Sequence, residues 1–270
     1  MYLAKYLLSI EEFLDAENGE ALYARAFSRV DETRRQKARR MKSDKARAAS
    51  LGAGLLLQLA VREAVAGMDA LSGRECTGHG PEGKRNTPEC QDFPVKRYTV
   101  KKILENLRDK PPQPFAYRYG EEGKPYFRDL PFYFNLSHSG EYVLCVIASE
   151  EIGADIQQYR SGNYGIDSVR GERDYHGQDD FQRKSDYMGR LAGRFFSERE
   201  CAALEQAGGE RERLFYRLWA RKEAYGKLTG KGVAGVLDVD MLPGAAGRES
   251  LLWEEYEGVK GYSIAVCRYG

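Results

Sequence analysis

One stretch constrains the fold and the chemistry of this chain more than any other, and it reads Phe215-Tyr216-Arg217-Leu218-Trp219-Ala220-Arg221-Lys222-Glu223-Ala224-Tyr225-Gly226-Lys227. We predict that it forms a helix over residues 212–228. Four side chains recur every four residues and share one face of that helix: Phe215, Trp219, Glu223 and Lys227. Because this stripe begins with aromatic residues, we expect its charged end to face inward, where a charge needs a metal ion or a substrate as partner. A surface ion pair between Glu223 and Lys227 is the alternative.

A short strand is predicted ahead of this helix, at Gly153-Ala154-Asp155-Ile156-Gln157. Asp155 and Gln157 are two residues apart, so their side chains point to the same side of the strand. An oxygen-rich pair that faces a helix glutamate predicts a Mg²⁺ site, because Mg²⁺ prefers oxygen ligands and is completed by water and substrate phosphates. A solvent-facing strand edge is the other interpretation.

The third motif is Asn135-Leu136-Ser137-His138-Ser139-Gly140, whose last four residues are turn-like and precede a buried strand at 142–147. A histidine between two serines can donate a hydrogen bond to a phosphate. A Ser-His-Asp hydrolase triad is the competing reading. The neighbouring side chains of Ser137 and His138 diverge, and no Gly-x-Ser-x-Gly elbow is present, so the triad is disfavoured.

The charge distribution suggests the kind of ligand. The net charge of +1 argues against a partner such as nucleic acid, yet ten basic residues and only three acidic ones lie between Arg25 and Arg47. A concentrated positive patch on a neutral protein indicates a compact, multiply phosphorylated ligand. A solvated helix face would give the same pattern.

Bulk composition limits the class of protein. The 270 residues are 42% hydrophobic and 31% charged, as in soluble globular proteins. We find no apolar run of the roughly 20 residues that span a bilayer and no secretory signal in residues 1–13, so we expect no membrane partner. Five scattered cysteines favour a reduced, cytoplasmic setting. The cluster of Cys76, His79 and Cys90 lacks a convincing fourth ligand, which disfavours a zinc site.

The rest of the sequence contains both helix and strand patterns. It predicts an edge strand at 2–8, helices at 31–66 and 100–107, a capped helix at 197–204 and two strands between 251 and 267. Residues 72–94 read as an exposed loop or insertion, and residues 160–190 read as a mobile loop because they contain few aliphatic side chains. Helices and strands alternate in both halves of the chain, so we predict an α+β (mixed α/β) fold.

In their order and spacing, the motifs resemble those of a 4′-phosphopantetheinyl transferase of the larger, surfactin-synthetase-activating (Sfp-like) class. The resemblance covers roughly residues 34–239. It rests on Gly123-Lys124-Pro125, Phe134-Asn135-Leu136-Ser137-His138-Ser139-Gly140, Gly153-Ala154-Asp155-Ile156-Gln157, Arg194-Phe195-Phe196-Ser197-Glu198-Arg199-Glu200, the helix from Phe215 to Lys227, and Gly230-Lys231-Gly232.

The resemblance implies a Mg²⁺-dependent enzyme that transfers the 4′-phosphopantetheine arm of coenzyme A to a serine of an apo acyl or peptidyl carrier protein and releases 3′,5′-ADP. It implies two similar halves related by a pseudo-twofold axis, residues 1–150 and 151–270, with coenzyme A in the cleft between them. It also implies a cytoplasmic monomer. A hydrolase that uses the same metal site and a non-catalytic binding module are the rival functions.

The resemblance also assigns roles to residues. Asp155 and Glu223 would bind Mg²⁺, with Mn²⁺ as an alternative ion, and Gln157 would be a weak third ligand because many members carry Glu there. Glu223 would also be the general base, and Lys227 would contact phosphate and help activate the nucleophile. The residues expected to hold coenzyme A are Lys124, Ser137 and His138 at its phosphates, Arg34 and Lys37 at its 3′-phosphate, and Arg47 and Ser50 in the nucleotide pocket.

Overall fold

A computed structural model describes residues 2–72, 94–159, 178–245 and 250–270. The predicted insertion at 72–94 lies almost entirely outside the described residues, as do Cys76, His79 and Cys90. Of the predicted loop at 160–190, only residues 178–190 are described.

The first part of the chain forms six strands and four α-helices within the described residues. In chain order they are β1 (Leu3–Ser9), a 3₁₀ turn (Glu11–Phe13), α1 (Gly19–Phe27), α2 (Glu32–Arg40), α3 (Asp44–Ser72), β2 (Val95–Tyr98), α4 (Val100–Asn106), β3 (Tyr117–Tyr119), β4 (Pro125–Phe127), β5 (Tyr133–Ser139) and β6 (Tyr142–Ala148).

The second part of the chain adds three strands and three α-helices to the described structure. They are β7 (Ile152–Gln158), α5 (Gln178–Phe195), α6 (Glu198–Gln206), a 3₁₀ turn (Gly208–Glu210), α7 (Arg211–Thr229), a 3₁₀ turn (Ala234–Val236), β8 (Leu251–Tyr256) and β9 (Tyr262–Tyr269). The mixed α and β composition agrees with the predicted fold class.

Two sheets carry most of the strands. The first has the order β2-β1-β6-β5 and the second the order β7-β9-β8, while β3 and β4 pair only with each other. In the first sheet, β1 runs parallel to β2 and antiparallel to β6. The predicted edge strand is therefore an inner strand, because β2 covers its outer edge. Its residues Tyr6, Leu7 and Leu8 are almost fully buried.

Helix α3 covers the first sheet and forms the core of this part of the molecule. The side chains of Leu51, Leu55 and Leu59, which follow one another at intervals of four, are buried in the core that α3 shares with this sheet. By length and composition, the segment Asp44–Met68 could cross a membrane, but 67% of its most apolar window is buried inside the protein. A buried core helix of a soluble protein can have the same length and apolar composition.

The predicted helix at 31–66 is in fact two helices. The side chain of Asp31 caps α2 by accepting a hydrogen bond from the Arg34 amide, and the extended backbone of Met41 (ψ 134°) ends that helix. Helix α3 then starts at Asp44 and continues past Gly67, where we had expected a break. The repeated basic residues concealed the turn at 41–43, because Lys and Arg favour helix throughout.

The predicted loop is wrong for residues 178–190, which belong to α5. Met188, Ala192 and Phe196 follow one another at intervals of four and are buried. Phe195 also packs edge-on against Trp219, with 5.2 Å between the ring centroids. The loop prediction rested on the low aliphatic content of the segment, whereas the C-terminal end of this helix packs through both aliphatic and aromatic side chains.

The predicted turn at 137–140 is also wrong, since Ser137, His138 and Ser139 continue strand β5. The reversal comes one step later, at Gly140, whose φ of 57° favours glycine. The other predicted elements are confirmed, including the capping box between Ser197 and Glu200 at the start of α6. The division into pseudo-symmetric halves at residues 1–150 and 151–270 stays a prediction.

A buried ion pair joins α6 to α7. Lys222 and Glu200 are fully buried, and the Lys222 ammonium lies 2.9 Å from the Glu200 carboxylate. Lys222 also donates to the carbonyls of Leu237 and Val239, and Glu200 accepts from the Met241 amide. All these groups are satisfied, so the pair fixes the position of α7 against α6.

Helix α7 lies across the second sheet, and Gly153 sets how closely it approaches β7. A Cβ atom at Gly153 would lie 2.0 Å from the Ala224 carbonyl oxygen and 2.7 Å from the Leu228 amide. Both neighbours are backbone atoms, which cannot rotate away. The missing side chain therefore brings Asp155, two residues further along β7, against the C-terminal half of α7.

We predict that Gly153→Ala forces β7 away from α7 and lowers the free energy of unfolding by about 1–3 kcal/mol, as overpacking usually does. Gly193→Ala is the matched control, because a Cβ there meets nothing within 4 Å in helix α5. That control should raise stability by about 0.5–1 kcal/mol. Urea unfolding checks both, and equal midpoints for wild type and Gly153→Ala would refute the close-approach argument.

Candidate functional site

A cavity of about 550 Å³ opens between the first part of the chain and the C-terminal end of α7. Its walls come from α2, the start of α3, the β3–β4 hairpin, strand β5, and the residues at and after the end of α7. Its lining combines basic side chains with aromatic ones. It includes seven of the eight residues predicted to hold coenzyme A: Arg34, Lys37, Ser50, Lys124, Ser137, His138 and Lys227.

Arg47 is the predicted ligand residue that does not line this cavity. Its guanidinium instead pairs with Asp44 in the first turn of α3. Ser50, one helical turn further on, does face the cavity, and its hydroxyl oxygen is buried without a hydrogen-bond partner among the described residues.

Helix α2 presents the basic wall of the cavity. Arg34 and Lys37 are three residues apart, on neighbouring turns of one face. The stem of Arg34 crosses α3 at Gly54, where a Cβ would lie 2.6 Å from the Arg34 Cγ. Burial, assisted by the charge of Arg34, lowers the pKa of Lys37. Two cations this close fit a ligand with concentrated negative charge.

Asp155 is the most heavily hydrogen-bonded side chain of the site. It is 2% exposed, and its Oδ1 atom accepts from the Ser137 hydroxyl at 2.5 Å and from the Lys227 ammonium at 2.6 Å. Its Oδ2 atom accepts from the Gln157 amide at 2.8 Å. Lys227 therefore pairs with Asp155 on β7. It does not form the surface ion pair with Glu223 that was the alternative prediction.

Glu223 faces the same group of charges from α7. Burial raises the pKa of its carboxyl, the negative charge of Asp155 raises it further, and Lys227 partly offsets both. No hydrogen bond or ion pair to Glu223 is found among the described residues. A half-buried carboxylate beside a second carboxylate, with one ammonium between them, leaves unbalanced negative charge.

His138 stands on the cavity side of β5. Partial desolvation lowers the pKa of its imidazole, and the positive charges of Lys227 and Lys37 lower it further, against the opposing effect of Asp155. The ring is therefore neutral at pH 7 and can donate one hydrogen bond while accepting another. His138 is thus close to Lys37 of the basic wall and to Lys227, which pairs with Asp155.

Lys124 lines the cavity, but its ammonium is already engaged. It donates to the Leu228 carbonyl at 2.7 Å, and its stem packs near Gly230, the residue that ends α7. Burial lowers its pKa. The residue thus ties the β3–β4 hairpin to the last turn of α7, and two of its three ammonium protons are available for a phosphate.

The donor set fits a hard divalent cation. Asp155, Glu223 and Gln157 offer carboxylate and carboxamide oxygens, the ligand type that Mg²⁺ prefers. In the part of the chain that the structure describes, no group of three His, Cys, Asp or Glu side chains could hold a metal ion. With two or three protein oxygens as ligands, Mg²⁺ takes its other ligands from water and phosphate.

The sequence reading missed several cavity residues. Tyr117 and Tyr119 line it from β3, and Asn135 lines it from β5. Tyr119 is 63% exposed, a large aromatic surface beside a cationic wall. The Tyr117-Arg118-Tyr119 alternation could have indicated a strand with one aromatic face, but its short length hid it among prolines and glycines.

This mixed α/β fold and its site define a class. Basic side chains line one cavity, and one of them, Lys227, pairs with Asp155 beside Glu223, a combination found in proteins that bind a phosphorylated ligand together with a divalent cation. Comparison with known proteins narrows the class: residues 164–267 match the model of the 4′-phosphopantetheinyl transferase superfamily. The resemblance predicted from the motifs is thereby confirmed.

Individual relatives agree with the match. The chain is 34% identical over 182 residues to a Synechocystis protein provisionally named 4′-phosphopantetheinyl transferase, covering 66% of this chain and 64% of the relative. It is 30% identical over 170 residues to a Bacillus subtilis 4′-phosphopantetheinyl transferase, covering 58% and 64%. It is 31% identical over 159 residues to the Sfp transferase of Bacillus subtilis strain 168, covering 54% and 60%. The chain thus spans less than two thirds of the length of these relatives.

We predict that Glu223→Gln makes the metal-free protein more stable at pH 7. The folded pKa of Glu223 lies above its unfolded value of about 4.3, so the ionised carboxylate destabilises the fold at any pH above the folded pKa. This penalty disappears as the pH falls through the folded pKa toward the unfolded one. Urea unfolding in EDTA should show a gain at pH 7 that vanishes below about pH 4.3. A loss of stability at pH 7 would contradict this account of the site.

Proposed function

We propose that the protein is a 4′-phosphopantetheinyl transferase. It takes the 4′-phosphopantetheine arm from coenzyme A and attaches it to a serine of an apo acyl or peptidyl carrier protein, releasing 3′,5′-ADP. The observation that carries this proposal is a cavity lined by the cations of α2 and by Lys227, whose ammonium bonds to Asp155 beside Glu223. The similarity to named transferases gives it independent support.

The ligand fits the order of charges along the cavity. Arg34 and Lys37 would bind the 3′-phosphate, while His138, Lys124 and Lys227 would hold the pyrophosphate. Coenzyme A carries three phosphate groups, which these two sets of side chains would bind. Ser50 would lie along the nucleotide, and Arg47 is left out of the proposal because it is paired outside the cavity.

The reaction needs a base, and Glu223 is suited to that role. Its raised pKa brings it nearer to neutral pH, where a carboxylate accepts a proton more readily. The carrier serine oxygen would form a bond to the β-phosphorus as its proton passes to Glu223. The bond from that phosphorus to the bridging oxygen breaks, and the electron pair leaves on 3′,5′-ADP.

Charge stabilisation supplies the rest of the catalysis. Asp155 and Glu223 would hold Mg²⁺, or Mn²⁺ in its place, with Gln157 contributing its carboxamide oxygen. The bound ion would offset negative charge on the phosphates. Lys227, held by Asp155 at 2.6 Å, is oriented toward the same oxygens. Phosphoryl-type transfer needs little beyond such positioning and charge stabilisation.

The remaining properties follow from the same proposal. We propose a cytoplasmic monomer, with the two halves of one chain forming the site and with no membrane or nucleic-acid partner. The rival functions are a hydrolase acting on coenzyme A and a binding module without catalysis. The Glu223 carboxylate has no ion pair among the described residues and lies beside the oriented ammonium of Lys227. This arrangement favours catalysis over binding alone.

Mass spectrometry of an apo carrier protein, incubated with coenzyme A, Mg²⁺ and this protein, separates the three functions. We expect the carrier to gain the mass of phosphopantetheine. Release of 3′,5′-ADP with an unchanged carrier would show hydrolysis, and binding without either product would show a module. A small panel of fatty-acid, polyketide and nonribosomal-peptide carriers identifies the acceptor.

In the same assay, Glu223→Gln should lower transfer by roughly 10²-fold or more, the usual contribution of a general base, while coenzyme A still binds. Glu205→Gln is the matched control, since Glu205 is exposed on α6 and lies outside the cavity lining. Near-wild-type transfer by Glu223→Gln would remove Glu223 from the mechanism.

A further inference from the structure

Asn135 is a buried polar residue whose environment is unexplained by the fold. It is 7% exposed and lines the cavity from strand β5. Its Oδ1 atom is enclosed and has no hydrogen-bond partner among the described residues, and its Nδ2 atom donates to none of them either. Leaving a buried polar group unpaired costs about 1–3 kcal/mol, so such a group calls for an explanation.

Its neighbours on the strand show what makes Asn135 different. Asn135, Ser137 and Ser139 alternate along β5 and share one face. The Ser137 hydroxyl is bonded to Asp155 and accepts from the Ile156 amide, and the Ser139 hydroxyl accepts from the Gln158 amide. Strand β7 thus satisfies two of these three polar residues, and the third is left open to the cavity.

The chemistry of a carboxamide restricts what it can bind. Asn offers an N–H donor beside a C=O acceptor, in either orientation of the group. An ionised phosphate has only acceptors and would leave the carbonyl oxygen unpaired. The missing partner must therefore carry a donor and an acceptor side by side. In coenzyme A, the edge of the adenine ring and the amides of the pantetheine arm have this arrangement.

We propose that Asn135 is a specificity-determining residue that recognises a paired donor and acceptor on the non-phosphate part of the ligand. This inference rests on the proposed function, since it takes coenzyme A as the ligand. It adds a contact that selects for the organic part of the molecule, whereas the cations of the cavity select for its charge. The binding energy then depends on both parts being present.

The test compares Asn135→Leu with wild type in two measurements. Leucine is close to asparagine in size and removes the unpaired polar group, so the ligand-free variant should be at least as stable to urea as wild type. Its affinity for coenzyme A, measured by isothermal titration calorimetry in Mg²⁺, should fall about ten-fold, the value for roughly 1.4 kcal/mol. A residue that served only the fold would instead lose stability and keep its affinity.

Two fragments identify the partner group. Weaker binding of 3′,5′-ADP by Asn135→Leu assigns the adenine edge. Weaker binding of 4′-phosphopantetheine, with 3′,5′-ADP unchanged, assigns a pantetheine amide. If Asn135→Leu does not fold, Asn135→Ser replaces it in the same titrations.

The possible failures are distinguishable. Coenzyme A binding as tight in the Asn135 variants as in wild type overturns the inference and leaves the proposed function standing. Failure of the wild-type protein to bind coenzyme A overturns both.

Discussion

The site depends on one interaction, the ion pair between the Lys227 ammonium and the Asp155 carboxylate, 2.6 Å apart. It joins the last turns of α7 to strand β7, and Ser137 joins β5 to the same carboxylate. A side chain of the first sheet and one of α7 therefore bond to the same buried acid of the second sheet. The basic residues of α2 and Lys227 line the same cavity, so the position of the acid relative to that cavity depends on how α7 and β7 pack together.

Several contacts determine how α7 packs on β7. Gly153 lets the backbones of β7 and α7 approach closely, and the buried pair of Lys222 with Glu200 holds α7 against α6. Lys124 ties the β3–β4 hairpin to the Leu228 carbonyl. The charged residues of the motif thus divide into two roles. Lys222 stabilises the fold, Lys227 lines the cavity and pairs with Asp155, and Glu223 has no ion pair among the described residues.

Uncompensated groups lie in this cavity and beside it. Glu223 is half-buried beside another carboxylate, and Asn135 and Ser50 have buried atoms without hydrogen-bond partners among the described residues. Each of these lowers the stability of the ligand-free protein. Under the proposed function, coenzyme A and its cation would relieve this cost.

Much of this arrangement could be predicted from the sequence. The four-residue spacing of Phe215, Trp219, Glu223 and Lys227 placed the chemistry on one helix face, and the alternation of Asp155 and Gln157 placed the facing oxygens on a strand. The sequence could not show that Lys227 pairs with Asp155, because that contact joins elements 72 residues apart. Helix α5 escaped detection because the packing of its C-terminal end, through Met188, Ala192 and Phe195, is formed by tertiary contacts. Asn135 escaped because an unpaired buried atom is visible only once its neighbours are placed.

The most direct test of the proposed site is a measurement of how coenzyme A binding depends on Mg²⁺. Isothermal titration calorimetry of coenzyme A into the wild-type protein should show tighter binding in Mg²⁺ than in EDTA, and Asp155→Asn should abolish the difference. Equal affinity of the wild type in the two buffers, or an undiminished Mg²⁺ effect in Asp155→Asn, would contradict the claim that β7 and α7 together build a cation-dependent phosphate site.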